Sequence, residues 1–278
     1  MSHSRPYAEG IALLRIARHD AGIYGAHVTN SWFRRGTAWL RARDLILLAA
    51  LSGIGVLVVG FIKIASEVGE KETRAVDEAI LLAMRNAPDD PIGSDKFQAA
   101  VMHISALGSG VVTGLIVLIV VSFCVLAGHK RYALLVLACS VGTGLIMWML
   151  KGFFERERPT VVTHIDPPGG TSFPSGHSMI SAALYLTLAA LIARTLEQRR
   201  LKVFVIAVGA LLTMMVGVSR MYLGVHYPTD VIAGWTAGAV WALICGLTAR
   251  TLGKRGAVPV PHAEGDAKPG GDASVESK

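Results

Sequence analysis

Three short stretches of this chain set cations, imidazoles and a carboxylate against long apolar blocks. The richest is Ser219-Arg220-Met221-Tyr222-Leu223-Gly224-Val225-His226-Tyr227-Pro228-Thr229-Asp230. Proline is favoured at the first position of a helix, so a helix is predicted to begin at Pro228 and run into the apolar segment Val231–Thr248. Asp230 then falls in its first turn, within reach of one ring nitrogen of His226. A carboxylate there fixes the imidazole tautomer and leaves the other nitrogen free to attack or to carry a proton. A His four residues before an Asp is also a common local cap or ion pair, so the pair gains meaning only from its company.

That company lies upstream. Lys151, Arg156 and Arg158-Pro159 follow one apolar block, and Pro174-Ser175-Gly176-His177 precede the next. The inventory suits a phosphate. Lys151, Arg158 and Arg220 supply fixed positive charge, and an arginine can hold phosphate oxygens with two parallel hydrogen bonds. Ser175 and the amide of Gly176 stand at a predicted helix start, where unpaired N–H groups and the helix dipole favour an anion. His177 and His226 come from different helices, and Asp230 can orient one of them. Each cluster has a plainer alternative: a snorkelling Lys151, loop charges at Arg156 and Arg158 paired with Glu155 and Glu157, and an ordinary loop-to-helix turn at Pro174-Ser175-Gly176. His103, His129 and His164 carry no such pattern, and His103 is the strongest exception among them.

The elements that must position these groups are membrane helices. Hydrophobic residues make up 52% of the 278 residues and the mean hydropathy is +0.50. Crossing a bilayer takes about 20 mostly apolar residues. Blocks of that kind fall at 45–65, 109–128, 132–150, 177–194, 203–219 and 229–249, which predicts an all-α polytopic bundle of about six transmembrane helices. The net charge of +7 does not signal nucleic acid, because the 27 Lys and Arg are concentrated in alternate connections. They crowd 1–44, 130–131, 194–202 and 250–278 and thin out elsewhere, the pattern expected if both termini are cytoplasmic. All three polar clusters then fall at the outer, periplasmic face of a cell (inner) membrane. Charged groups near membrane depth are costly and usually functional. Cys124, Cys139 and Cys245 sit inside apolar blocks with no metal spacing and are expected to be inert thiols. The first 30 residues lack a continuous apolar core, so no cleavable leader is expected and the first span would serve as the membrane signal.

Residues 1–43 mix Arg with Trp32, Phe33 and Trp39, as in a helix lying on the cytoplasmic surface. Residues 44–250 form the membrane domain, and 251–278, rich in Pro, Gly and charge, are expected to be a disordered cytoplasmic tail. Between the first two spans, Val76, Ile80 and Met84 recur at helical spacing among Glu72, Asp77 and Glu78, which predicts a surface helix ending at Asn86-Ala87-Pro88-Asp89-Asp90-Pro91. Phe97–Leu107 is apolar but short, and Gly108-Ser109-Gly110 breaks it from the second span. Gly234 and Gly238 form a small-xxx-small pair suited to close helix packing.

In these residues the chain resembles the type 2 phosphatidic acid phosphatases, whose wider superfamily includes soluble acid phosphatases and vanadium haloperoxidases. The family pattern is Lys-x6-Arg-Pro, Pro-Ser-Gly-His and Ser-Arg-x5-His-x3-Asp. Here these are Lys151 to Arg158-Pro159, Pro174-Ser175-Gly176-His177, and Ser219-Arg220 to His226 to Asp230, in the same order. The resemblance covers about 97–250. It implies that His226 is the nucleophile that takes the phosphoryl group, oriented by Asp230. It implies that His177 is the general acid, and that Lys151, Arg158, Arg220, Ser175 and Gly176 hold the phosphoryl oxygens. The expected activity is hydrolysis of a lipid phosphomonoester or pyrophosphate through a phosphohistidine, on a phosphatidic acid, phosphatidylglycerol phosphate or polyprenyl pyrophosphate type of substrate. Phosphotransfer to another lipid at the same site, and a non-catalytic transporter or binder of anionic lipid, are the alternatives. No metal-ligand cluster is visible, so a metal-independent mechanism without cofactor is expected, with membrane lipids as the only partners, no nucleic acid and no obligate protein partner.

Overall fold

The computed structural model describes residues 42–165 and 169–254. The interfacial segment expected at 1–43 and the tail expected at 251–278 lie almost wholly outside them. The chain divides into two units, 1–53 and 54–278. Of the first, only the leading end of α1 is described, and the rest of this account concerns the second.

Eight helices and one two-stranded hairpin make up the described residues. They are α1 (Ala42–Gly69), α2 (Arg74–Leu82), β1 (Arg85–Ala87) and β2 (Asp90–Pro91) in an antiparallel pair, α3 (Asp95–Ala106), α4 (Gly110–Leu126), α5 (Lys130–Phe154), α6 (Gly176–Thr195), α7 (Arg199–Tyr222) and α8 (Pro228–Lys254). Five helices are long and apolar enough to cross a membrane, and α3 with α4 makes a sixth candidate bent by 47°. The bend falls at Gly108, where the ladder is broken and both loose ends are satisfied. The Tyr185 hydroxyl donates to the Leu107 carbonyl at 2.6 Å, and Ser109 caps α4 by accepting from the Val112 amide at 3.3 Å. A side chain at Gly108 would collide with Val216, 2.4 Å away, and press on His177 at 3.2 Å.

The connection between α6 and α7, expected as an inner loop at 194–202, is shorter than that charge run predicts. Helix α7 begins at Arg199 because Arg and Lys are good helix formers, and the helix continues past the apolar block that alone marks a span. Helix α6 is the most deeply buried span, and its inward residues are mostly small or hydroxylated: Ser178, Ser181, Ala182, Ala183, Thr187 and Ala189. Close backbone approach follows from that composition. A β-carbon on Gly238 of α8 would lie 2.4 Å from the Met179 carbonyl oxygen, so only glycine permits the observed α6–α8 contact. By contrast, Val59, Val111, Leu126 and Phe153 are exposed, as side chains facing lipid would be.

Between α1 and α4 the expected helix stops at Leu82, short of the predicted turn, and Arg85–Ala87 pairs with Asp90–Pro91 in a hairpin. The surface helix is present as α2, but Val76 and Ile80 are exposed while Asp77 and Leu81 are fully buried. The buried face is chosen by Asp77, which is held by polar partners from α8 and from the loop after α5.

Candidate active site

The start of α8 is built around Asp230. Its side chain is completely buried and accepts from the Tyr227 amide at 2.9 Å, from the Ser172 hydroxyl, and from Arg156 at 2.5 Å. Its own carbonyl accepts from the Ser175 amide at 3.0 Å, which ties the start of α8 to the start of α6. Oδ2 of Asp230 lies 3.4 Å from Nδ1 of His226, and the Ser172 hydroxyl lies 3.4 Å from the same nitrogen. The expected His–Asp pairing is therefore present, with Ser172 beside it.

Arg158 approaches the opposite edge of the ring. One terminal nitrogen lies 3.3 Å from Nε2 of His226 and donates to the Val225 carbonyl at 2.7 Å. Its other donors go to the carbonyls of Gly169, Gly170 and Thr171 at 3.1–3.2 Å. An arginine can only donate, so Nε2 presents its lone pair and the ring proton is assigned to Nδ1. Carbonyl partners fix the guanidinium without cancelling its charge. Burial is the main cause holding Arg158 below its ordinary pKa, and Asp230 opposes it. Burial likewise pushes His226 down to about 4, with the Asp230 hydrogen bond and charge working against the shift. The ring is thus neutral near pH 7.

Lys151, in the last turn of α5, donates to the Thr171 carbonyl at 2.6 Å. Arg220, buried in the last turn of α7, donates to the Ser105 hydroxyl at 2.8 Å. His177 opens α6 half-buried, and its ring takes part in no hydrogen bond among the described residues. It is within electrostatic reach of Arg220, His226, Arg158 and Lys151. Ser175 is fully buried as the N-cap of α6, accepting from the Ser178 amide and, at 3.0 Å, from its hydroxyl. Gly176 packs on Met147, whose sulfur would be 2.8 Å from an added β-carbon. All eight residues singled out from the sequence therefore stand at one end of the bundle.

Several of the site's pairings and supporting residues were not visible in the sequence. Arg156 is not paired with Glu155 or Glu157. It bridges Asp230 and Asp77, the latter at 2.8 Å. Asp77, Ser172, Thr229 and Ser105 also reach the site, and none carries a local pattern of its own. Two of these, Asp77 and Ser105, come from the segment between α1 and α4.

A cavity of about 320 Å³ borders Arg158 and is lined also by Lys71, Arg74, Arg156 and Tyr227. A second, of about 310 Å³, lies among α4, α5 and α6 and is lined by Gly110, Val117, Leu137, Ile180 and Leu184. Among the described residues no group of three His, Cys, Asp or Glu could hold a metal ion.

Comparison with known proteins places the chain among membrane phosphatase relatives. Residues 131–254 match the PAP2 superfamily. The chain is 37% identical over 97 residues to phosphatidylglycerophosphatase B of Bacillus subtilis, a match covering 34% of this chain and 46% of that protein. The matched stretch thus spans less than half of that relative. Identity to the lipid A 1-phosphatase of Rhizobium johnstonii is 31% over 185 residues, covering 56% of this chain and 71% of that protein. The crystal structure of a transmembrane PAP2-type phosphatidylglycerolphosphate phosphatase from Bacillus subtilis superposes with a TM-score of 0.66 at 26% identity, covering 72% of this chain and 96% of that one. With a shared fold, apolar spanning helices and an alignment running through most of the rhizobial enzyme, this multi-pass membrane protein belongs to the PAP2 superfamily.

Proposed function

We propose that the chain is a membrane phosphatase that hydrolyses a phosphomonoester or pyrophosphate on a lipid through a phosphohistidine at His226. One observation carries the reading: Nε2 of His226 shows its lone pair to a fixed cation 3.3 Å away, while Nδ1 faces Asp230. Attack on phosphorus needs such a lone pair, and a phosphoryl group that draws Arg158 onto its oxygens would free Nε2 to attack. In the first step Nε2 attacks phosphorus and the bond to the lipid oxygen breaks. That oxygen leaves with a proton from His177, and the imidazolium formed at His226 is stabilised by Asp230. In the second step His177 takes a proton from water, the resulting hydroxide attacks phosphorus, and the P–N electron pair returns to Nε2. Lys151, Arg158 and Arg220, with the Ser175 hydroxyl and the Gly176 amide at the start of α6, hold the phosphoryl oxygens while charge spreads over them. Three fixed cations can supply this stabilisation without a metal.

The names of the relatives, a phosphatidylglycerophosphatase and a lipid A 1-phosphatase, support a lipid substrate. So does the second cavity, whose Ile180 and Leu184 lie one and two turns beyond His177 on α6, where a hydrocarbon chain fits. The catalytic unit is assigned to 44–250, with both termini cytoplasmic and the site at the outer, periplasmic face of the inner membrane, as the Lys and Arg distribution favours. The test is release of inorganic phosphate in chelator from phosphatidic acid, phosphatidylglycerol phosphate and a polyprenyl pyrophosphate. Wild type should release phosphate from at least one, and His226→Ala should lose several kcal/mol of transition-state stabilisation, roughly 10³-fold or more. Binding of these lipids without phosphate release would instead mark a carrier, and transfer to a second lipid without free phosphate would mark a transferase.

A further inference from the structure

The proposed chemistry leaves Arg156 without a task, yet it is among the most heavily bonded groups at the site. One terminal nitrogen lies 2.5 Å from Oδ1 of Asp230 and 2.8 Å from the Thr229 hydroxyl. The other lies 2.8 Å from Oδ2 of Asp77. The face of the guanidinium stacks on Tyr227, 4.2 Å from the ring centre. Asp77 is itself fixed, accepting from the Thr229 amide at 3.0 Å, the Thr229 hydroxyl at 2.6 Å and the Thr73 hydroxyl at 3.1 Å. Both carboxylates are fully buried.

Two consequences follow. A buried carboxylate without a partner is strongly unfavourable, so Arg156 lets Asp230 stay ionised away from water. The second is directional. Arg156 occupies Oδ1 of Asp230, which leaves Oδ2 to Ser172, the Tyr227 amide and Nδ1 of His226. The fork thereby decides which oxygen meets the imidazole, and Asp77 grips the far side of the fork. A lysine at 156 would be a point charge and could not hold two carboxylates and a hydroxyl at once.

We propose that Arg156, gripped by Asp77, is a positioning residue that aims the Asp230 carboxylate and, through it, the ring of His226. The inference rests on the phosphohistidine reading above. The competing explanation is a structural clamp joining α2 to α8, which would act whatever stands at position 230.

A double-mutant cycle separates the two. The purified full-length protein is assayed on whichever of phosphatidic acid, phosphatidylglycerol phosphate or a polyprenyl pyrophosphate wild type hydrolyses fastest, with kcat and KM measured separately. Arg156→Met should lower kcat by roughly 10²-fold with KM within about threefold, and Arg156→Lys should fall between it and wild type. In an Asp230→Asn background the same Arg156→Met change should cost less than about threefold, because the group it aims is already gone. Asp77→Asn should lower kcat alone and add nothing once Arg156 is replaced. Losses that multiply across the cycle, or a rise in KM at unchanged kcat, overturn the proposal. Should the methionine variant fail to fold in detergent, the cycle is run with Arg156→Lys, which keeps the charge and the chain length. Failure of the underlying reading looks different: His226→Ala would then turn over as fast as wild type.

Discussion

Arg158 and Asp230 address opposite nitrogens of one ring. The guanidinium stands 3.3 Å from Nε2 of His226, and the carboxylate 3.4 Å from Nδ1. The donor on one side fixes where the lone pair is, and the acceptor on the other fixes where the proton is. In the proposed mechanism this sets the imidazole for attack before substrate arrives.

The first prediction follows from the geometry of the donor. Arg158 uses its Nε and both terminal nitrogens on loop carbonyls and on Nε2, a pattern a lysine cannot reproduce. Arg158→Lys should lower kcat/KM by at least about tenfold, and Arg158→Ala by about 10³-fold, in steady-state assays. A lysine variant as active as wild type would show that charge alone suffices.

Ser172 touches both members of the His–Asp pair. Its removal leaves a buried carboxylate oxygen with one donor fewer, at a cost of about 1–3 kcal/mol. Ser172→Ala should therefore reduce kcat by roughly tenfold or more while KM holds. Asp230→Asn should reduce it further, yet less than His226→Ala, since the nucleophile survives without its orienting charge. A Ser172→Ala variant with wild-type kcat would remove the hydroxyl from the account.

The depressed pKa of His226 has a consequence for stability. Its value is about 4 in the folded protein against an ordinary 6.5, burial being the chief cause. Between those values the unfolded chain binds a proton that the folded chain refuses. The contribution of the neutral ring is thus complete above pH 6.5 and lost as pH falls toward 4. His226→Gln abolishes that titration. The Tm difference between wild type and this variant should shift against wild type as pH is lowered from about 7 to about 4.5. A difference that stays constant would mean that the ring binds its proton equally well in the folded and unfolded chain.

Ser105 anchors Arg220 from a helix far away in sequence. A hydrogen bond to a charged group contributes about 1.5–3 kcal/mol. Ser105→Ala should raise KM several-fold, because Arg220 is assigned to hold phosphate, and weaken inhibition by vanadate to a similar degree. Unchanged KM and vanadate affinity would remove the Ser105 anchor from the account.

How much of this could be read from the chain differs by element. The spans were legible because lipid demands long apolar runs, and the Gly234 and Gly238 pair announced a close helix contact, though not that its partner is α6. The three motifs were legible because each packs several chemical groups into one short stretch. Asp77 and Ser105 were not, since their partners lie on helices distant in sequence and each is an ordinary residue in its own neighbourhood. Which face of α2 turns inward was not legible for the same reason: Val76 and Ile80 set an apolar stripe, but the polar partners of Asp77 turn the other side inward. Arg156 was hidden between Glu155 and Glu157, where local pairing is the natural expectation. Only folding shows that its carboxylates are Asp77 and Asp230.

The most direct test of the central claim is to trap the covalent intermediate. Protein mixed with a radiolabelled lipid phosphate and quenched within milliseconds should carry label on His226, acid-labile and base-stable as a phosphoramidate is, and His226→Ala should carry none. Rapid turnover with no labelled protein, or label at any residue other than His226, would contradict the account.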